Sequence, residues 1–182
     1  MLASGIPLRG IHHKVTDILL RLQGTGFSTW VRESTSIFAF PTILLLHTIG
    51  MALVVGVNAG IDLRILGLAQ GLPLAPLEKY FPILWIGFWI NAVTGTVLLV
   101  ADATTKLASP VFYIKMVFIA LAIIDLRLVR NRVFRDPLVD DQPLPTNAKV
   151  LAIASLIFWL GAITAGRLMA YIGPVSGLQE LQ

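Results

Sequence analysis

Long runs of apolar residues dominate the chain, and shorter segments rich in glycine, proline and charge separate them. Crossing about 30 Å of hydrocarbon takes roughly 20 helical residues. Four runs reach that length, at 35–61, 80–101, 110–131 and 147–172. Because backbone polar groups in lipid must be hydrogen-bonded within their own segment, each run predicts a transmembrane helix.

The connections between successive runs are short, which makes neighbouring helices antiparallel. The pattern therefore predicts an all-α membrane protein, an up-down four-transmembrane-helix bundle over residues 35–172. Residues 173–182 form a C-terminal tail in this interpretation.

The first 34 residues predict an N-terminal amphipathic segment at the membrane interface. Between residues 11 and 22, apolar side chains recur at helical spacing, and polar side chains fall largely on the opposite face. A helix with this pattern lies along a bilayer surface. Gly24 and Gly26 end the predicted helix, and Phe27 and Trp30 are placed to anchor the chain where lipid meets water.

Composition supports a membrane protein. The chain is 56% hydrophobic and 13% charged, whereas a soluble domain carries about 25% charged residues. It contains no cysteine, which excludes disulfides, thiolate metal sites, iron–sulfur clusters and covalent haem attachment through a CxxCH motif. The net charge of +4 comes from basic residues near the ends of apolar runs, where they suit lipid headgroups. The predicted partners are the bilayer and other membrane subunits or further copies of the chain, and not nucleic acid.

The distribution of basic residues predicts the orientation. We call the membrane side of the N-terminus side A and the opposite side, with the loops 62–79 and 132–146, side B. Side B carries more lysine and arginine, so the positive-inside rule places the 132–146 loop in the cytoplasm. A surface helix on the cytoplasmic face would reverse this orientation.

Three ionisable residues fall inside the predicted spans, where a charge at the helix centre costs about 2.5–3.5 kcal/mol. They are His47, Lys115 and Arg167. At a rise of about 1.5 Å per residue, His47 is expected roughly 15–18 Å from side A and the two cations roughly 8 Å from it. All three therefore share the side A half of the bundle.

This arrangement predicts a haem b site. An axial imidazole from His47 would bind the iron, and Lys115 and Arg167 would neutralise the two propionates near the interface. Copper bound at His47 is the alternative metal. Electron transfer or membrane anchoring would be the function, and the chain is not expected to be an enzyme on its own.

Three further residues complete the predicted site. Gly50 lets a flat ring or a neighbouring helix approach closely, and Trp89 supplies a wall. Since no other span contains a histidine, the second axial ligand would be Met116, His47 of another copy, a residue of another subunit, or nothing.

Two other interpretations stay open. In the first, the protein is a cofactor-free structural or accessory subunit of a larger complex. His47 then only forms a hydrogen bond to Asn91, Thr94 or Thr96 on the next helix. A small-molecule or ion transporter is the other alternative, although a conduit needs polar groups across the bilayer and the side B interior offers only Asn58 besides the residues at the helix ends. Hydrolase, zinc protease and nucleotide-binding motifs are absent from the sequence.

A short repeat marks the side B ends of the first and third runs. "IDLR" occurs at 61–64 and again at 124–127. Crossed pairing between the aspartate of one copy and the arginine of the other is predicted, because both pairs lie near helix C-termini.

Two stretches carry a family resemblance. "HTIGMALVVG" and "TGTVLLVADATTKLASPVFYIKMVF" resemble the loose pattern of small bacterial four-helix membrane proteins. These include uncharacterised families and the membrane part of CopD-type copper-resistance proteins, which are distantly similar to b-type cytochrome bundles. The resemblance implies a bacterial cytoplasmic membrane protein, and matches the pattern at His47, Gly50, Gly56 and Lys115. The chain departs from the cytochromes in lacking a second intramembrane histidine.

Overall fold

The computed structural model describes residues 17–18, 20–21, 23–34, 36–69, 71–135 and 143–171. The predictions for residues 1–16, 136–142 and 172–182 lie outside the described residues. The regular elements of the described chain are helical, and we number the α-helices in chain order. They are α1 (Gly26–Glu33), α2 (Phe40–Ile65), a 3₁₀ helix (Ala75–Tyr80), α3 (Phe81–Ala101), α4 (Ala103–Ala108), α5 (Pro110–Arg132) and α6 (Thr146–Tyr171).

Three stretches of helix within the described residues are long and apolar enough to cross a membrane. They are Phe40–Ile65, Ala75–Ala101 and Thr146–Met169. α5 has the length of a span, but residues 110–127 contain Lys115, Asp125 and Arg127. Three of the four predicted runs therefore form helices that are long and apolar enough to cross a membrane, and the fourth span stays a prediction.

The first span begins later than the apolar run suggests. α2 starts at Phe40 with a proline in its first turn, where the missing N–H has no helical partner to lose. His47 is then seven residues into the helix, which corresponds to about 10 Å. His47 consequently lies closer to side A, and closer in depth to Lys115, than the 35–61 boundary predicts.

α2 and α3 pack backbone to backbone around two glycines. A Cβ on Gly50 would lie 2.8 Å from the Asn91 nitrogen and 2.8 Å from the Gly87 oxygen. A Cβ on Gly87 would lie 2.7 Å from the Leu53 side chain. Residue numbers rise along one helix as they fall along the other, so the pair is antiparallel. Small residues give membrane helices this close approach.

α6 connects the α2–α3 pair to α5, because it packs against both α5 and α2. On the α5 side, a Cβ on Gly161 would meet the Phe118 ring at 2.8 Å. All four long helices contribute to one apolar core. Its members include Val54, Ile61, Ile65, Phe81, Leu84, Ala122, Leu126, Val129, Ala148, Ala152 and Trp159.

The helix α1 closes the side A end of α3. The Ser28 hydroxyl donates to the Val100 carbonyl at 3.3 Å, and Gln23 hydrogen-bonds to the Thr104 hydroxyl in α4. Phe27 and Trp30 remain largely exposed, as expected of interfacial anchors. This part of the N-terminal segment is therefore tied to the bundle as well as suited to the interface.

Candidate functional site

The imidazole of His47 is held against α3 by its Nδ1 atom. Nδ1 lies 3.1 Å from the Asn91 carbonyl oxygen and 3.0 Å from the Thr94 hydroxyl. A carbonyl oxygen only accepts hydrogen bonds, so Nδ1 is the protonated nitrogen and the donor. The Thr94 hydroxyl in turn donates to the Ile90 carbonyl at 2.6 Å, which leaves its lone pairs toward Nδ1. In the neutral form of the ring, Nε2 is then the unprotonated nitrogen that carries the free lone pair.

Two further contacts fix the position of the ring. The Asn91 side-chain amide donates to the His47 carbonyl at 2.8 Å, so His47 and Asn91 are linked in both directions. A Cβ on Gly95 would lie 3.0 Å from the His47 Cε1 atom, which shows how closely the ring packs on α3. The predicted interhelical hydrogen bonds to Asn91 and Thr94 are confirmed. Thr96 instead bonds within its own helix, to the Ala92 carbonyl.

Lys115 is the one predicted cation that the structure brings near His47. It lies within electrostatic range of the imidazole. A Cβ added to Gly166 of α6 would lie 3.7 Å from the Lys115 side chain, which runs beside that helix. Arg167, the next residue in the chain, is exposed. In the described part of the chain, no hydrogen bond or ion pair links Arg167 to His47 or Lys115.

The sequence analysis missed a second cation, Lys106 in the α4 connection. Its charge acts on both His47 and Lys115, and its Nζ donates to the Leu98 carbonyl at 2.9 Å. Burial lowers the pKa of Lys106, and nearby Asp102 partly opposes that effect. Nothing in the local sequence separates Lys106 from an ordinary loop lysine. Its position depends on α4 turning back over the side A end of α3.

The remaining predicted site residues lie elsewhere. The contact surface of Gly50 is filled by the backbone of α3, so it serves helix packing. Met116 is 46% exposed and Trp89 is 62% exposed, which places both on the outer surface of this single chain. The side A site therefore consists of His47, Lys115 and Lys106, held by Asn91 and Thr94.

The side B interior is more polar than the sequence suggested. The buried Asn58 amide donates to Asp62 Oδ2 and to the Ser155 hydroxyl, each at 2.6 Å. The predicted crossed pairing of the IDLR repeats is wrong, because neither aspartate forms an ion pair among the described residues. Their arginines are engaged elsewhere.

The partners of those arginines explain the error. Arg64 Nε donates to the Leu72 carbonyl in the loop that follows α2. Arg127 lies over the Trp85 ring, 5.9 Å from its centroid. Both long side chains reach outward to the side B surface, whereas the short aspartates stay in the interior.

Comparison with known proteins adds no relative. No family model, no curated protein and no solved structure matches the chain. The resemblance to CopD-type membrane proteins stays an expectation from the sequence. The protein is helical, and three helices among its described residues are long and apolar enough to cross a membrane.

Proposed function

We propose that the protein is an integral protein of the bacterial cytoplasmic membrane, with four spanning helices and side B, including the 132–146 loop, in the cytoplasm. The burial of charges on α5 supports the fourth span. Asp125 is 4% exposed, and Lys115 is partly covered by α6. Arg127, near side B, is long enough to reach the interface. α5 carries more charged residues than most membrane-spanning helices. These charges are covered by other helices or lie at the edge of the membrane.

We further propose that His47 is an axial ligand of haem b, in a subunit for electron transfer or membrane anchoring. The observation that carries this proposal is the bond from Nδ1 to the Asn91 carbonyl, which leaves Nε2 as the ligating nitrogen. Histidines that bind metals commonly donate their other N–H to a carbonyl in this way. When bound, haem supplies one-electron transfer between the ferric and ferrous states of its iron.

The cations of the site suit the same group. Lys106 and Lys115 are two positive charges close to each other, and Lys115 has no acidic partner within the described residues. Two propionates would neutralise them, with Lys106 taking the role that the sequence analysis gave to Arg167. Copper is a weaker candidate, since the described residues hold no group of three or more His, Cys, Asp or Glu suited to a metal ion. Haem brings its own porphyrin nitrogens.

The exposure of Met116 and Trp89 leads us to propose that a second copy or another subunit contributes to the haem site. Both side chains lie on the outer surface, so they do not complete a site inside one chain. A second axial ligand would then come from another copy or another subunit. Neither Met116 nor Trp89 is retained as a direct ligand or wall of the site within one protomer.

An absorption spectrum tests the haem proposal. Protein made with ample haem and purified in mild detergent should show a Soret band that shifts on addition of dithionite. The band should be lost in His47→Ala and kept in Thr96→Val, whose hydroxyl is exposed and bonds only within its own helix. Both variants must elute as the wild type does in size exclusion. A wild-type spectrum without a Soret band contradicts the proposal.

Replacing Lys106 separates a binding role from a structural one. Because burial lowers the pKa of Lys106, its charged form is held at a free-energy cost. Lys106→Met should therefore leave the thermal stability unchanged or raise it, while weakening haem binding severalfold in a titration of the apoprotein. Exposed Lys149→Met is the matched control. Unchanged haem affinity in Lys106→Met would remove Lys106 from the site.

A cofactor-free accessory subunit is the second candidate. The two-way hydrogen bonding of His47 and Asn91 favours it, because this contact alone gives the histidine a role in joining α2 to α3. A featureless spectrum together with co-purifying membrane subunits would support this candidate over the haem protein.

A further inference from the structure

A group of buried polar side chains lies in the side B half, separate from the His47 site. Asn58 and Asp62 are one turn apart on α2, and Ser155 faces them from α6. The three residues are only 1–2% exposed. The Asn58 amide donates to both of its neighbours, and Asp62 also hydrogen-bonds to Ser155.

A second carboxyl group approaches this cluster from α5. Asp125 is 4% exposed and lies within electrostatic range of Asp62. Its Oδ2 atom is buried and has no hydrogen-bond partner in the described part of the chain. A buried carboxylate oxygen without a partner is rare in a native structure and calls for a bound ligand or a proton.

The basic groups of the surrounding helices do not compensate the two carboxyls. On α2, Arg64 binds a loop carbonyl. On α5, Arg127 lies over Trp85, Arg130 forms an ion pair with Glu78 at 3.5 Å, and Arg132 is exposed.

The other two helices add little charge near the pair. α3 contains no ionisable side chain. On α6, Lys149 and Arg167 are both exposed, and Lys149 lies more than one turn before Ser155. Two unpaired negative charges in one buried site would repel each other and lose their hydration.

We propose that Asp62 and Asp125 together form a proton-binding site, in which the pair of carboxyl groups retains at least one proton at neutral pH. Two carboxyls that share a buried site take this state because both cannot ionise without a nearby cation. Asn58 and Ser155 supply hydrogen bonds that hold Asp62 in place.

The site gives the interior a proton-exchangeable group on the side opposite His47. The described residues therefore hold a polar centre in each half of the helical bundle, an imidazole toward side A and two carboxyls toward side B. This inference does not depend on haem, since none of its residues belongs to the His47 site.

Modification by dicyclohexylcarbodiimide tests the proposal, because this reagent reacts with protonated carboxyls in apolar surroundings. The full-length protein in detergent should form an adduct at Asp62 or Asp125, located by mass spectrometry. Its yield should fall by about tenfold for each pH unit once the pair deprotonates. The adduct should be lost in the Asp62→Asn, Asp125→Asn double variant. Exposed Glu78 is the internal control and should stay unmodified.

Infrared spectroscopy makes the test independent of reagent access. A carbonyl band of a protonated carboxyl should be present at neutral pH, disappear at alkaline pH and be absent from the double variant. Absence of both the adduct and the band at neutral pH overturns the proposal.

Discussion

Replacing Gly50 by alanine is expected to destabilise the protein by about 2–3 kcal/mol, because the added methyl group has no space. The new Cβ would lie 2.8 Å from two backbone atoms of α3, the Asn91 nitrogen and the Gly87 oxygen. Backbone atoms of a packed helix cannot rotate away, so α2 and α3 must separate. The measurement is the free energy of unfolding in a detergent titration.

Gly56 provides the matched control within the same helix. A Cβ at Gly56 meets nothing within 4 Å, so Gly56→Ala removes helix flexibility without a clash. We expect that variant to be as stable as the wild type, or more stable by up to about 1 kcal/mol. Equal stability of Gly50→Ala and Gly56→Ala would show that α2 and α3 do not pack as closely as described.

The same glycine shows how far the sequence predicted the site. The spacing of small residues around His47 indicated a close approach, and left open whether a flat ring or a helix would occupy it. The structure places a helix there. A sequence pattern shows that the side chains on one helix face are small. Only the packing of α2 on α3 determines which group contacts that face.

Periodicity and length predicted most of the helices, since apolar runs long enough to span lipid have few other stable structures. The ends were less predictable. The first run was extended back to residue 35, but Pro41 sets the start of α2 at Phe40. Because α2 starts later than predicted, His47 lies nearer to side A than the sequence suggested. The number of spans depends on α5, which has the length of a span but carries Lys115, Asp125 and Arg127.

Long-range polar contacts were the least predictable part of the site. The sequence places Asp62 and Asp125 near helix C-termini and predicts crossed pairing with the arginines of the repeats, because that end of a helix disfavours acidic side chains and favours basic ones. The arginine side chains reach the side B surface, and the shorter carboxyls remain inside. Ser155 carried no signal at all, since a single serine in an apolar run is common in membrane helices.

Asn58→Leu is expected to destabilise the protein by about 2 kcal/mol, although leucine is the more apolar residue. The amide of Asn58 makes two hydrogen bonds at 2.6 Å, and its loss deprives Asp62 and Ser155 of a donor in the interior. The bond to Ser155 joins α2 to α6, and bonds of this kind between membrane helices are worth about 0.6–1.7 kcal/mol. The bond to Asp62 lies within α2. Desolvation of the groups left behind adds to that loss. Exposed Asn131→Leu on α5 is the control and should change stability by less than about 0.5 kcal/mol.

A double-mutant cycle with Ser155→Ala separates this contact from simple repacking. If Asn58 stabilises the bundle through Ser155, the two substitutions share one hydrogen bond, and the double variant should be more stable than the sum of the single effects predicts. We expect a coupling free energy of about 1 kcal/mol. Strict additivity would mean that Asn58 acts through Asp62 alone. A stabilised Asn58→Leu variant would contradict this prediction, and would show that the hydrogen bonds of Asn58 do not offset the cost of burying its amide.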